Sequence, residues 1–496
     1  MNLMMLLEMV ASTEPDRLAL GRRSDGWTAG RLMDRASRLA TLIRTSGAER
    51  VVWTDIAGPL LPVALYGSSW AGTPFVPVNY RLADEPLRHL IEKQAPCLVI
   101  CGAGTEARYL GIPGAEVLTT DGLAARLDDV EPAEADWGMD EDAIALLLYT
   151  SGTSGDPKAA VLRQKHLCSY VLGSIEFLGA GEDEATLVTV PPYHIAGMAA
   201  ILTATFSGRR LVQLANFDPA DWVATARGEG ITHAMVVPTM LARINSVLSA
   251  DGAGLGTLRH LSYGGGRMPI PVIEETMRLL PEVGFVNAYG LTETSSSIAI
   301  LGPDDHREAI SSEDPAVRGR LGSVGMPLPT VEITIRDEMG NVLGPNQPGE
   351  VWVKGDQVSG EYLGRAGGID EGWFRTNDGG FIDEWGYLYV TGRLDDVIIR
   401  GGENLSPGEI EDALLTHPGV ESCCVLGLPD DEWGEVVCAV IVPMPGDRPS
   451  EDELSDWVVR HLRSSRRPAR IVYREELPVT DTGKVLRRVL KAELAN

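Results

Sequence analysis

The chain has 496 residues, 44% of them hydrophobic, with 70 acidic against 43 basic side chains and a net charge of −27. A length of this order holds roughly two to four domains with large cores. So acidic a balance excludes nucleic acid and anionic membrane surfaces as partners, because both would repel it. The six cysteines (Cys97, Cys101, Cys168, Cys423, Cys424 and Cys438) show neither pairing rhythm nor zinc spacing and read as reduced and mostly buried.

The opening MNLMMLLEMV is apolar but lacks a basic leading segment and carries Glu8 within the run. It fits neither a signal peptide nor a membrane span and reads as an amphipathic first helix, a candidate contributor to a homodimer. No other stretch reaches the roughly eighteen apolar residues that a membrane span needs, so a soluble, cytoplasmic protein is expected. From Trp27 the pattern predicts a helix over Ala29 to Ser46, a strand over Arg50 to Thr54, a helix around Pro62 to Ala71 and a strand over Pro74 to Val78. Such alternation points to a parallel, helix-covered sheet. Ala103 to Trp137 carries no chemical signal.

Ala143 to Leu148, AIALLL, reads as a buried strand that runs into Tyr149 to Leu162, YTSGTSGDPKAAVL. Glycines let the main chain approach phosphate closely, inward backbone N–H groups bind it, and hydroxyls add donors. Those residues are Thr150, Ser151, Gly152, Thr153, Ser154 and Gly155, with Lys158 behind them. The common P-loop is excluded, because it needs Gly directly before the lysine and Ser or Thr after it, where this chain has Pro157 and Ala159. YTSGTSGDPK resembles the nucleotide-binding signature of the AMP-forming adenylating enzymes: acyl-CoA synthetases (fatty-acid–CoA ligases), peptide-synthetase adenylation domains and luciferases. Ser154 and Ala159 stand where members usually have Thr and Gly.

Val188 to Leu202 reads as strand, turn and helix, with His194 on the turn; in the family the matching turn walls the acyl pocket. Ile231 to Pro238 reads as a buried strand with a helix from Thr239. By family position, His194, Gly197, Met198, Val237 and Gly265 are expected against the acyl group. None is charged, which favours a fatty, aromatic or alicyclic acid over an amino acid. Leu258 to Pro269 is a strand running into Gly264, Gly265 and Gly266, and only glycine lets a flat ring lie against the backbone. The resemblance sets adenine there, although the more frequent form has Ala and Pro where this chain has Gly266 and Arg267.

Phe285 to Thr294, FVNAYGLTET, brings an aromatic face, a hydroxyl and a carboxylate together after a strand. These supply stacking, a phosphate donor and a hard oxygen for Mg²⁺. The resemblance implies Tyr289 at adenine, Thr292 at the α-phosphate and Glu293 at the metal, with Asn287, Ala288 and Gly290 beside them. From Val331 the texture turns to alternation, with a turn near Gly340 and a second alternating run at Val351 and Val353, which predicts a small antiparallel β subdomain.

In Gly372 to Arg400 the resemblance assigns the ribose hydroxyls to Asp378 and Arg393; Asn377 stands where the usual form has Gly. It places a hinge at Asp395, dividing residues 1–394, which bind ATP and the acyl substrate, from a mobile C-terminal domain, 395–496. There Pro407 to Leu415 is predicted helical and Val420 to Leu428 extended, and Gly401 and Gly402 resemble the loop that lines the pantetheine tunnel. Lys484, in LPVTDTGKVLRRVL, matches the family's catalytic lysine. Between Trp457 and Arg474 lie six arginines (Arg460, Arg463, Arg466, Arg467, Arg470 and Arg474) and no acid. This island reads either as a dock for the phosphates of coenzyme A or departing pyrophosphate, with Arg466 as the candidate contact, or as a solvated helix face.

The expected fold is α/β: a large N-terminal domain of helix-covered sheets with a small β subdomain, plus a small mobile α+β C-terminal domain. The implied function is an ATP- and Mg²⁺-dependent acid–CoA ligase that forms an acyl-adenylate and passes the acyl group to coenzyme A. A free-standing enzyme that loads a carrier protein or another acceptor is the alternative. An adenylate-binding protein without turnover is a third reading, against which the presence of both Glu293 and Lys484 speaks.

Overall fold

The computed structural model describes residues 1–150, 157–364, 368–430, 432–480 and 485–495. Two sheets dominate the larger unit. One has six strands in the order Ala115–Thr119, Cys97–Cys101, Arg50–Thr54, Phe75–Pro77, Ile144–Thr150 and Lys158–Arg163. The other has nine, with Gly284–Leu291, His260–Gly264, His233–Val236 and Ala185–Val188 as its consecutive middle strands. Those four run parallel.

Helices cover both faces of each sheet, so their strands read as unbroken apolar runs rather than alternations; Cys97–Cys101 is buried at every position. A single core joins Val51, Leu98 and Leu146 of the six-stranded sheet to Val188 and Leu211 of the nine-stranded one. Between them lie helices Leu60–Ala71 and Ile195–Ser207, apolar on nearly every side because no side meets water. Helix Ala29–Ser46 starts at Thr28, whose hydroxyl accepts the Arg31 N–H at 3.2 Å. The first helix, Met4–Thr13, sets Met4, Leu6 and Leu7 into the same core and also buries Val10.

The strand expected before the phosphate loop is there: Ile144–Thr150 pairs antiparallel with Lys158–Arg163, and Lys158 lies opposite Thr150. The antiparallel β unit forms as expected, from Val331–Arg336, Gly349–Gly355, Trp373–Ile382 and Leu388–Arg393 with the short Ile369–Asp370. Beyond it, Ile398–Arg400, Glu403–Leu405, Val420–Asp430, Gly434–Pro443 and Arg470–Tyr473 form a separate sheet. Helices Pro407–Leu415 and Glu451–His461 pack on one face over Ile410, Leu414, Leu454 and Val458. Helix Arg487–Leu494 covers the other face through Leu490 and Leu494. No described helix is long and apolar enough to cross a membrane.

Candidate active site

Strand ends converge on one cavity of about 250 Å³. Gly265 and Gly266 follow the strand His260–Gly264, and Asn287, Ala288, Tyr289 and Gly290 sit on Gly284–Leu291, its parallel neighbour. The two backbones approach so closely that a Cβ on Gly264 would collide with the Ala288 carbonyl oxygen, which is why glycine is required there. Asn287 contributes backbone to this wall, while its side-chain amide donates to the Ser323 carbonyl at 2.9 Å.

On the opposite side Asp378 and Arg393 face each other as register partners on adjacent strands. The Arg393 Nε lies 3.2 Å from Asp378 Oδ1, and the Tyr289 hydroxyl donates to Asp378 Oδ2 at 2.6 Å. Arg393 also donates to the Thr376 carbonyl at 2.6 Å, which locks the guanidinium in place. Burial, followed by the Asp378 charge, pushes the Tyr289 phenol well above its ordinary range, so it stays a neutral donor. The sequence pattern therefore placed three residues that the fold brings into contact from positions far apart.

Glu293 sits in the short 3₁₀ turn Thr292–Thr294, and Thr292 is half-buried beside it. The Glu293 carboxylate is 7% exposed and accepts the Tyr362 hydroxyl at 2.5 Å through Oε1. Its Oε2 receives no hydrogen bond from a described residue. A hard anionic oxygen so placed fits Mg²⁺, which takes one or two protein carboxylates and completes its shell with substrate phosphates and water. Sequence reasoning missed Tyr362: it follows a strand in a Gly-containing loop without a recognisable spacing to Glu293.

Ser151, Gly152, Thr153, Ser154, Gly155 and Lys484 lie outside the described residues. The rims that flank them are visible. Thr150 is half-buried, and Lys158 Nζ stands 5.6 Å from the centre of the Tyr362 ring. Val479 and Val485 form an antiparallel bridge on either side of 480–484. Val479 and Thr480 line a second cavity of about 500 Å³ together with Arg81, Pro191, Phe217, Met240 and Arg243.

Of the acyl-side residues, His194 is the N-cap of helix Ile195–Ser207, and its ring lies 4.8 Å from that of Tyr193. Val237 and Gly265 are neighbours, with Val237 Cγ1 3.6 Å from where a Gly265 Cβ would stand. Met198 is wholly buried in the central core, and Gly197 is needed where a Cβ would press on the Pro191 carbonyl at 3.0 Å.

The C-terminal unit closes the first cavity with Pro407, Gly408, Glu411 and Arg487. Arg487 donates to Glu411 at 2.7 Å and reaches Asp396 at 3.9 Å. Arg267, in the glycine turn, pairs with Asp412, and the Ser406 hydroxyl donates to the Thr391 carbonyl at 2.7 Å. Asn377 Nδ2 donates to Asp395 Oδ2 at 2.8 Å. Gly401 and Gly402 are exposed and do not line this cavity.

The arginine island is neither a free dock nor one helix face. Arg466 is held by Glu403 and Glu409, Arg467 by Asp456 at 3.0 Å and Arg474 by Glu493 at 2.8 Å, while Arg470 donates to the Leu494 carbonyl. Arginines clustered in sequence are here dispersed over a helix end, a 3₁₀ turn and a strand, and three of them, Arg466, Arg467 and Arg474, pair with acids.

The family model described as AMP-binding enzyme matches residues 7–363, and that of the AMP-binding enzyme C-terminal domain matches 409–484. The chain is 31% identical to a feruloyl-CoA synthase of an Amycolatopsis species, with 96% of each chain covered. It is also 31% identical to the fatty acid–[acyl-carrier-protein] ligase ScoC of Streptomyces coeruleorubidus, covering 97% of this chain and 93% of that one. Among solved structures, the o-succinylbenzoate CoA synthetase of Bacillus subtilis in complex with its acyl-adenylate superposes with a TM-score of 0.86 at 29% identity, over 98% of this chain and 97% of that one. The same enzyme with ATP and a magnesium ion gives 0.84 at 29% identity, over 98% and 99%. With two family models spanning most of its length and its cleft built from the matching motifs, this chain belongs to the AMP-binding enzyme family, the AMP-forming adenylating enzymes.

Proposed function

We propose that the protein is an ATP-dependent acid–CoA ligase acting in the cytoplasm on a fatty, aromatic or alicyclic carboxylic acid. The observation that carries this reading is the Tyr289–Asp378–Arg393 cluster on the wall of a cavity that the C-terminal unit closes. A carboxylate flanked by a guanidinium suits the vicinal hydroxyls of a ribose, since it accepts both. The glycine turn opposite offers a flat surface for a base.

In the first half-reaction a carboxylate oxygen of the acid attacks the α-phosphorus of ATP. The new P–O bond forms as the bond to pyrophosphate breaks, leaving an acyl-adenylate. No covalent step falls on the protein, whose part is to position and to neutralise charge. Glu293 would hold a magnesium ion, which when bound supplies positive charge to the phosphate oxygens. Thr150 to Gly155 and Thr292 donate to the phosphates, Lys158 adds charge at the base of that loop, and Lys484 reaches the acid's carboxylate and the α-phosphate. In the second half-reaction the thiol of coenzyme A loses its proton and its sulfur attacks the acyl carbon; the C–S bond forms, the C–O bond breaks and AMP leaves.

The division at 395 and the hinge at Asp395 belong to this proposal. Rotation there withdraws Lys484 and brings Gly401 and Gly402 toward the thiol's path. A ligase that loads a carrier protein is the second reading, favoured by the resemblance to ScoC over nearly the whole chain.

The test is pyrophosphate release from ATP and Mg²⁺ across a panel of acids, with and without coenzyme A and with Lys484→Ala as control. Release that depends on the acid, accelerates with coenzyme A and collapses in the variant supports the ligase. Adenylate formation indifferent to coenzyme A assigns the acyl group to another acceptor.

A further inference from the structure

The segment that carries Tyr362 is stitched between two parts of the nucleotide site. On one side Ser359 N and Gly360 N donate to the Glu293 carbonyl at 2.8 and 3.2 Å. On the other, Val161 N donates to the Glu361 carbonyl and Leu363 N to the Ala159 carbonyl, each at 2.9 Å. The Ser359 hydroxyl donates to the Val161 carbonyl, and Arg163 grips the Glu361 carboxylate through two bonds of 2.9 and 2.8 Å. Ala160 and Tyr362 complete the seam as an antiparallel bridge. The strap thereby ties the strand leaving the phosphate loop to the turn bearing Glu293.

Within it the Tyr362 side chain faces both charged groups. Its hydroxyl donates to Glu293 Oε1 at 2.5 Å, and its ring lies 5.6 Å from Lys158 Nζ. A donor fixed on one oxygen selects a single carboxylate rotamer and leaves Oε2 for a cation. Outer hydrogen bonds of this kind commonly set metal affinity as strongly as the ligands themselves do.

We infer that Tyr362 is a positioning residue for the divalent cation of the ATP complex: it orients Glu293 and seats Lys158 at a fixed distance from it. The inference rests on the adenylating reading of the site, through the role given to Glu293. Tyr362 touches neither the reacting carboxylate nor the α-phosphorus, so its effect passes through Glu293.

The decisive measurement is Mn²⁺ affinity in the presence of ATP, followed by electron paramagnetic resonance, for the wild-type chain, Tyr362→Phe, Glu293→Gln and the double variant. Tyr362→Phe is expected to weaken Mn²⁺ about tenfold, the lower end of what loss of an outer-shell partner costs. Metal-free AMP binding stays as in the wild type. In the Glu293→Gln background the same substitution adds nothing, because there is no carboxylate left to orient. In turnover, Tyr362→Phe needs about tenfold more Mg²⁺ for half-maximal pyrophosphate release and reaches a plateau within about threefold of wild type. Mn²⁺ affinity unchanged in Tyr362→Phe, an equal loss of AMP binding, or additive losses in the double variant each overturn the inference. So does a wild-type protein that binds no Mn²⁺ with ATP. If instead no acid supports pyrophosphate release while the Mn²⁺ pattern holds, the ligase reading fails and Tyr362 keeps its role.

Discussion

The Tyr289 hydroxyl donates to Asp378 Oδ2 across 2.6 Å, joining strands 89 positions apart in the chain. One oxygen of the Asp378 carboxylate therefore already accepts from within the chain. Asp378→Asn removes the charge and one acceptor. A hydrogen bond to a charged group is worth about 1.5 to 3 kcal/mol, so the KM for ATP is expected to rise about 10- to 100-fold. Tyr289→Phe frees the carboxylate, and the expected change in KM is under about threefold. The ATP dependence of pyrophosphate release measures both.

Lys484 is expected to serve one half-reaction only. Loss of one preorganised donor to a developing charge costs about 3 to 4 kcal/mol, so Lys484→Ala should slow acyl-adenylate formation by about 10²- to 10³-fold. Thioester formation from a supplied acyl-adenylate should stay within about threefold of wild type. Single-turnover assays of each half separate the two effects, and equal losses in both would remove the lysine from its assigned role.

Arg267 of the larger unit pairs with Asp412 of the C-terminal one, and Asn377 holds Asp395 in the connection between them. The Arg267 and Asp412 side chains are 41% and 34% exposed, so solvent screens the pair and its contribution is about 0.2 to 1 kcal/mol. Asp412→Asn should therefore raise the rate of limited trypsin cleavage after Arg400 by only about two- to fivefold. Asn377→Gly, which removes the bond to Asp395, should act in the same direction. Unchanged cleavage in both variants would mean that neither contact restrains the C-terminal unit.

His166 sets an acid limit on stability. It is buried, and its Nδ1 accepts the Arg163 backbone N–H at 3.2 Å, which requires an unprotonated nitrogen. Burial, then the charges of Lys165 and Arg163, lowers its pKa to about 4, below the ordinary value of 6.5. The folded state binds fewer protons than the unfolded one between these values, so stability is complete above pH about 6.5 and is lost as pH falls toward about 4. At pH about 5 the loss comes to about 2 kcal/mol. His166→Asn keeps an acceptor and does not titrate, so its urea midpoint should fall less than that of the wild type between pH about 7.5 and about 5.

Much of this architecture is legible locally. The helix Ala29–Ser46 and the strand Arg50–Thr54 end where periodicity and turn residues end them. The nucleotide motifs are short contiguous strings, each wrapped around one part of the ligand, and a string survives reading in one dimension. What escaped notice depends on distant partners. Tyr362 and Glu293 lie 69 residues apart, and Arg267 and Asp412 lie 145 apart; neither pair has a spacing to betray it. Lys158–Arg163 gives no strand signal, because its central residues are buried on both faces, which erases the alternation that marks a half-exposed strand. The arginine island misled for the opposite reason: its charges are close in sequence, but the acids that neutralise them come from other segments.

The first cavity is lined by Tyr289 and Asp378 of one body and by Gly408, Glu411 and Arg487 of another, and the two bodies have separate cores. A ligand that fills it is mortar between two bricks. Losing either one forfeits the binding energy of the ligand, so a ligand held between them stabilises both against heat at once.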